Sequence, residues 1–247
     1  MSWVAEIRTI YEFIIHDILE NIDNPIIVIG GAGTGISTKK FLDTWQQYTK
    51  KKSCRLYLLE LSDAHVNTLI DKFGDNVIYS NIDISIQRAA LGAKTGKKIA
   101  RIAENHYGSS LYGASKEYKK MHRKLNTHRR KVECLRLDSM FTKIDLLELQ
   151  TNGAELATLK GCGKLLNRTK LILTEAIFTN LFNKQSFFSD IDKLLREKYK
   201  FELFNLYNIW KKSPTDRLSR ALALYVNKEY INIQPFQLKE CNGTNQY

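Results

Sequence analysis

The stretch Pro25-Ile26-Ile27-Val28-Ile29-Gly30-Gly31-Ala32-Gly33-Thr34-Gly35-Ile36-Ser37 decides the fold. Its apolar run has no polar alternation, which is how a strand buried on both faces of a parallel sheet reads. The glycines that end it let the backbone turn sharply and approach a ligand closely. In the spacing Gly31-x-Gly33-x-Gly35 the third glycine comes one residue earlier than in the dinucleotide fingerprint G-x-G-x-x-G, and no Gly-Lys-Ser/Thr follows to make a P-loop. Three alternating glycines cost chain entropy that a plain strand-to-helix turn need not spend. The turn is therefore predicted to bind a cofactor.

Working outward, residues 36–48 read as a crossover helix and 55–61 as a second strand, which completes a strand-helix-strand unit. Glu60 lies 25 residues after Gly35 (60 − 35), at the end of that strand. Vicinal ribose hydroxyls are two donors, and one carboxylate there can accept both; the alternative is a Glu that merely starts the next helix beside Ser62 and Asp63. A helix is predicted over 63–73 and a third strand region over 77–91, followed by a long detour through Gly92, Gly96 and residues 106–112.

That detour holds the main concentration of positive charge. If residues 116–132 are helical, Lys116, Lys119, Lys120, Arg123, Lys124 and Lys131 share one face and Tyr118, Met121, Leu125 and Val132 the other. This describes either a solvated surface helix or a phosphate-binding face sharpened by Arg129 and Arg130, although no aromatic residues interleave the cations as a stacking platform. Beyond it the sheet is predicted to resume at 132–137. A core strand follows at 144–149, a turn and helix at 150–166, a strand at 170–174 ending on Glu175, a helix at 187–199, and a closing antiparallel pair at 201–207 and 221–226 with Pro214 in its connection.

At 247 residues the chain suits one α/β domain. The reading divides it into an N-terminal helical cap (1–24), a main domain (25–230) with a basic insertion at about 97–131, and a tail (231–247). The cap rests on Val4, Ile7, Tyr11, Ile14 and Ile18, which recur at helical spacing and would cap the sheet edge or roof the ligand site. Asn24-Pro25 ends it. A net charge of +12 makes nucleic acid, an anionic glycan or a phosphorylated partner plausible without choosing among them. The scattered cysteines Cys54, Cys134, Cys162 and Cys241 form no C-x-x-C pair and read as reduced core thiols. Glu6, Glu12, Asp17 and Glu20 interrupt the first apolar pattern, so neither a signal peptide nor a transmembrane segment is expected, and a cytoplasmic or other intracellular location is the default.

Several segments, in order, resemble the FkbM-type methyltransferases, a class I S-adenosylmethionine-dependent family of O-methyltransferases. The segment Ile144-Asp145-Leu146-Leu147-Glu148-Leu149-Gln150-Thr151-Asn152-Gly153-Ala154-Glu155-Leu156-Ala157-Thr158-Leu159-Lys160-Gly161 is similar to the family's D-L-L-K-I-D-V-x-G-A-E-x-x-x-L-x-G. Ala89-Ala90-Leu91-Gly92, Gly108-Ser109-Ser110-Leu111 and Leu137-Asp138-Ser139 support it, over roughly residues 25–228. The resemblance implies a Rossmann-like, seven-stranded, mostly parallel sheet with helices on both faces and an antiparallel last strand. It implies S-adenosyl-L-methionine held by Gly31, Ala32, Gly33 and Gly35, with Glu60 and Leu61 at the ribose and Ala89 and Ala90 bordering the adenine. A hydroxyl of a sugar, glycan or related small molecule would be the acceptor.

The chain departs from that pattern in both motifs. Ile29 and Gly33 stand where the family's first motif has Asp and Asn, Glu148 where the later motif has Lys, and Gln150 where it has Asp. A Gln neither takes up a proton at neutral pH nor serves as an anionic metal ligand, so a divalent metal is left open. With Gln150 in place of Asp at that catalytic position, the base is expected from Glu175 first and Glu155 second, ahead of Glu148, His65 and His106. The same losses motivate an alternative, a catalytically degenerate domain that binds RNA or another anionic partner through Lys119, Lys120, Arg123, Lys124, Arg129 and Arg130 within a larger assembly.

Overall fold

A computed structural model describes residues 9–49, 52–75, 77–104, 108–211 and 216–231. Its helix α1 (Ile10–Glu12) begins at a capping box, in which Thr9 and Glu12 bond each other's backbone, and continues as a π-helical turn, Phe13–Ile18, and a 3-10 turn, Leu19–Asn21. Then come β1 (Ile26–Gly30), α2 (Ile36–Tyr48), β2 (Cys54–Glu60), α3 (Asp63–Phe73), β3 (Ile82–Arg88), β4 (Ala90–Leu91) and β5 (Gly96–Ala103). The second half holds α4 (Lys116–Met121), β6 (Thr127–Leu135), β7 (Ile144–Leu149), α5 (Glu155–Cys162), β8 (Thr169–Ile177), α6 (Phe188–Tyr199), β9 (Phe201–Trp210) and β10 (Arg220–Asn227).

Seven strands form one sheet in the order β3-β2-β1-β7-β8-β10-β9. The strands from β3 to β8 pair in parallel, and β10 runs antiparallel to both β8 and β9. This is the class I methyltransferase arrangement that the resemblance implies. Every residue of β1 and β7 is buried; β1 is accordingly an unbroken apolar run, and β7 is apolar apart from Asp145 and Glu148, whose carboxylates are hydrogen-bonded. One face packs Ile27, Ile29, Leu56, Leu58 and Leu146 against Phe41 and Trp45 of α2, Leu69 and Phe73 of α3, and Ile14, Ile15 and Leu19. The other face packs Val28, Leu59, Leu147 and Ile172 against Leu159 of α5 and Ile191 and Leu195 of α6.

The N-terminal helix differs from its expected place. It lies on the α2 face of the sheet, its apolar stripe matched to the strands beneath, and Phe13 stacks on Phe204 of the edge strand β9 at 4.4 Å between ring centroids. Tyr11 is buried there, and its hydroxyl donates to Glu148 Oε2 at 2.8 Å. Buried Asp145 fastens the entry to the sheet, accepting from the backbone N–H of Ile26 at 2.8 Å and from Lys170 Nζ at 2.7 Å.

The basic insertion differs more. Its helix is α4, which stops at Met121, and from Thr127 the chain runs as β6, so the cations of 116–132 share no single helical face. Strand β6 belongs to a separate three-stranded sheet, β4-β6-β5, instead of returning to the main one. Two-residue alternation over Lys131-Val132-Glu133-Cys134 fits a ribbon with Cys134 buried and Lys131 and Glu133 exposed. The third strand region likewise begins at Ile82, and only Ile82–Arg88 pairs with β2. His106, Pro214, Cys241 and the tail from residue 232 lie outside the described residues. Among the described residues Cys54, Cys134 and Cys162 are free and buried, and no helix is long and apolar enough to cross a membrane.

Candidate active site

At the C-terminal ends of β1 and β2 the chain opens into a cleft of about 900 Å³. Open α/β sheets bind ligands at this edge, where neighbouring crossovers leave a crevice. Gly31, Ala32 and Gly33 line it together with Glu60, Leu61, His65, Ala89 and Ala90. Gly35 itself stays outside the lining and caps α2 in a left-handed conformation, φ 83°.

Two glycines show why the turn has its composition. Gly31 adopts φ +77°, and a Cβ there would stand 2.1 Å from the carbonyl oxygen of Gln150. The two motifs, distant in sequence, meet at that point because β1 and β7 are neighbours and the Gln150 N–H donates to the Gly30 carbonyl at 2.9 Å. Gly33 adopts φ +56°, and a Cβ there would meet nothing within 4 Å. Its N–H donates to Glu60 Oε2 at 2.8 Å, and the N–H of Ser62 donates to Oε1 at 2.8 Å. Burial raises the Glu60 carboxyl, but His65, Ser62 and Gly33 together outweigh it and hold the group below its ordinary value. Glu60 is therefore an oriented carboxylate with acceptor sites left for vicinal hydroxyls. These residues fit the S-adenosyl-L-methionine that the resemblance implies: open space over Gly33, an ionised acid beside it, and apolar Leu61, Ala89 and Ala90 adjoining.

Ile29 is 1% exposed within the core on the α2 face, so the position of the missing acid does not reach the cleft in this chain. The carboxylate nearest Gln150 is Glu148. It is fully buried, accepts from Tyr11 Oη and from Gln150 Nε2 (2.7 Å), and lies beside the Ser37 hydroxyl. Burial raises its carboxyl, and those donors offset part of the rise. Gln150 Nε2 also donates to Ser37 Oγ at 3.1 Å, so both amide hydrogens are engaged and the amide oxygen is left as an acceptor. Gln150 and Ser37 line the cleft.

The two acids favoured as the base part company here. Glu155 is fully buried and its carboxylate accepts from the N–H groups of Thr151 (2.7 Å) and Gly153 (2.9 Å). It holds the Gln150–Gly153 turn and does not line the cleft. Glu175, at the end of β8, does line it and accepts from Arg220 Nη1 at 3.1 Å. Burial raises the Glu175 carboxyl above its ordinary value, with Arg220 offsetting part of the rise; burial and the Glu175 charge raise Glu155. Strand pairing sets Leu222 opposite Glu175 and Arg220 opposite Trp210, and the Arg220 guanidinium lies 5.1 Å from the Trp210 ring centroid. His65 is 3.7 Å from Glu60, the acid that ends β2.

Of the six basic candidates, Lys120, Arg123 and Lys124 line the cleft. Lys119 points away as an exposed residue of α4, Arg130 pairs with Asp63, and Arg129 sits opposite Arg101 on the ribbon. Lys40, Tyr118, Asn208, Trp210, Arg220 and Leu222 also line the cleft, and the sequence does not mark them as site residues. For Trp210 and Arg220 the available signal was the closing antiparallel pair, whose register sets Trp210 opposite Arg220, the residue that bonds Glu175. Among the described residues no group of three or more His, Cys, Asp or Glu side chains is arranged to hold a metal ion.

A model of the FkbM methyltransferase domain matches residues 31–203. The chain belongs to the FkbM methyltransferase domain family. Its match covers both glycine motifs, Glu60 and Glu175, while Trp210 and Arg220 fall beyond it. Among solved structures, the methyltransferase FkbM from Methylobacillus flagellatus KT is 16% identical with a TM-score of 0.49, over 87% of this chain and 47% of that one. This FkbM-domain chain thus spans about half the length of that relative. The Aeropyrum pernix fibrillarin, solved with natively bound S-adenosyl-L-methionine, is 12% identical with a TM-score of 0.42, over 83% of this chain and 67% of that one. The putative methylase HI0767 from Haemophilus influenzae is 12% identical with a TM-score of 0.45, over 89% of each chain. No curated protein matches the sequence.

Proposed function

We propose that this FkbM domain transfers the methyl group of S-adenosyl-L-methionine to a hydroxyl of a sugar, glycan or related small molecule. The observation that carries the reading is that one cleft is lined by the Gly31–Gly33 turn, by Glu60 and by Glu175. Bound there, the cofactor supplies an electrophilic methyl group on a sulfonium. The protein's own work is then to hold two reactants in line, which by itself supplies much of the acceleration in such reactions. Glu60 orients the ribose, and the flat surface of Gly31 and Ala32 lets the ligand approach the backbone. Glu175 receives the proton of the acceptor hydroxyl, and burial, which raises its carboxyl above the ordinary value, makes it a better proton acceptor than an exposed carboxylate. Arg220 keeps Glu175 in place through their hydrogen bond. The amide oxygen of Gln150 accepts a hydrogen bond in the cleft where the family's Asp would stand.

Isothermal titration with S-adenosyl-L-methionine tests the reading first, and no binding at millimolar concentration overturns it. The alternative, a degenerate domain acting as an RNA-binding component, draws on Ile29 and Gln150. It predicts RNA binding without cofactor binding, which the same titration separates.

A further inference from the structure

The cations that line the cleft are Lys40, Lys120, Arg123, Lys124 and Arg220, against the carboxylates of Glu60 and Glu175. Glu60 is engaged by Gly33 and Ser62, and Glu175 by Arg220. Glu117 offsets part of the Lys120 charge, one turn away on the same helix. Among the described residues Arg123 has no carboxylate within ion-pairing distance. The acceptor side of the cleft therefore carries a surplus of positive charge beside its base.

That surplus extends past the cleft. On one face of the β5–β6 ribbon, exposed Lys97, Ile99 and Arg101 stand opposite exposed Glu133, Lys131 and Arg129. The ribbon is tied to the cleft, because Arg101 and Ser110 exchange backbone hydrogen bonds (2.8 and 2.9 Å) and Ser109 lines it. Ser110 Oγ in turn donates to the Asn152 carbonyl at 2.7 Å. A row of cations longer than one small acceptor suits a polyanion. At the cleft mouth Trp210 is 40% exposed, with the Arg220 guanidinium against its ring. An exposed aromatic beside cations is the arrangement that holds single-stranded nucleic acid, whose bases stack while its phosphates pair.

We propose that the methyl acceptor is single-stranded RNA, with phosphates on Lys120, Arg123 and Lys124, a base against Trp210, and a ribose 2′-hydroxyl presented to Glu175. This rests on the methyltransferase reading above and narrows its sugar hydroxyl to one kind. In an internal nucleotide of RNA the 2′-hydroxyl is the only free hydroxyl of the sugar. A single strand can offer it to a recessed carboxylate without first breaking base pairs. In the transfer the methyl carbon–sulfur bond breaks as a bond forms to the 2′-oxygen, the sulfonium becomes a neutral thioether, and the hydroxyl proton passes to the Glu175 carboxylate.

The test uses the full chain with S-adenosyl-L-methionine, a single-stranded RNA oligonucleotide, the same sequence as DNA, and the RNA already 2′-O-methylated. Methyl transfer is expected to RNA alone, while all three bind. Binding should weaken with salt at a slope of about −0.7 per phosphate neutralised. Joint replacement K120Q/R123Q/K124Q should make that slope shallower by about 2 while leaving affinity for S-adenosylhomocysteine unchanged, which also shows that the variant folds. Trp210→Ala should weaken RNA binding by about 5- to 100-fold, the range for loss of one stacked base. Transfer to a neutral glycoside or a sulfated glycan but not to RNA overturns the RNA assignment and leaves the methyltransferase reading standing. Transfer to DNA as well as RNA overturns the 2′-hydroxyl. Absence of cofactor binding overturns both.

Discussion

The two halves of the cleft are made of different material. The cofactor half is mostly backbone: Gly31 and Gly33 in left-handed conformations, and Glu60 fixed by two N–H groups within one strand-helix-strand unit. The acceptor half is side chains gathered from afar: Lys120 from α4 and Arg123 and Lys124 just after it, Glu175 from β8, and Trp210 and Arg220 from the closing pair. A backbone site can be read from a short motif because backbone geometry is local. A side-chain site depends on which strands lie side by side, and that is a property of the whole sheet.

The sharpest way to break this comparison is to remove the base. Glu175→Gln should lower methyl transfer by about 10²- to 10⁴-fold while cofactor affinity stays put. Equal losses in rate and affinity would mean that the halves are not separable. In the wild type the rate should rise with pH through the raised Glu175 value, because the carboxylate is the active form and burial keeps it protonated above the ordinary carboxyl range. Single-turnover rates across pH check this.

Next in size is Glu60→Gln. It replaces a charged acceptor by a neutral one, and a hydrogen bond to a charged group contributes about 1.5–3 kcal/mol. Cofactor affinity should fall roughly 10- to 100-fold by titration, with maximal rate little changed at saturating cofactor.

Tyr11→Phe probes the wall behind both halves. It removes one donor from the fully buried Glu148 and should cost about 1–3 kcal/mol of stability in denaturant unfolding. The smallest effect is the pH dependence of stability. Glu148 binds its proton more tightly folded than unfolded, so its contribution is complete below the ordinary carboxyl value and is lost as pH rises through the raised folded value. Glu60 has the opposite sign: its stabilisation is present above the ordinary value and is lost as pH falls through the lowered one. Glu148→Gln should flatten the decline toward high pH and leave the acid limb in place.

Legibility in the sequence follows the same division. The β1 run and the glycine turn were readable because a doubly buried strand is continuously apolar unless its polar groups find partners, and a close turn has to be glycine; β7 is apolar at four of its six positions, and its two acids are buried with partners only the fold supplies. Glu155 was readable as a motif residue but not in its task. Only the folded turn shows its carboxylate committed to the N–H groups of Thr151 and Gly153. Residues 116–132 were misread because cations at helical spacing are equally compatible with a short helix followed by a ribbon. Pairing with β5 decided for the ribbon, with Ala100 and Cys134 buried beneath it.

The sequence by itself determined the parallel sheet, the glycine turn and the acid placed against it, since each rests on a few contiguous residues whose conformation leaves little choice. Tertiary structure alone decided that Ile29 lies in the core, that Gln150 is held by Ser37 and Glu148, and that Glu175 rather than Glu155 reaches the cleft. It also brought Arg220 and Trp210 to that carboxylate. The reason is register: in a sheet whose neighbours are distant in sequence, which side chains meet is fixed only when the strands pair.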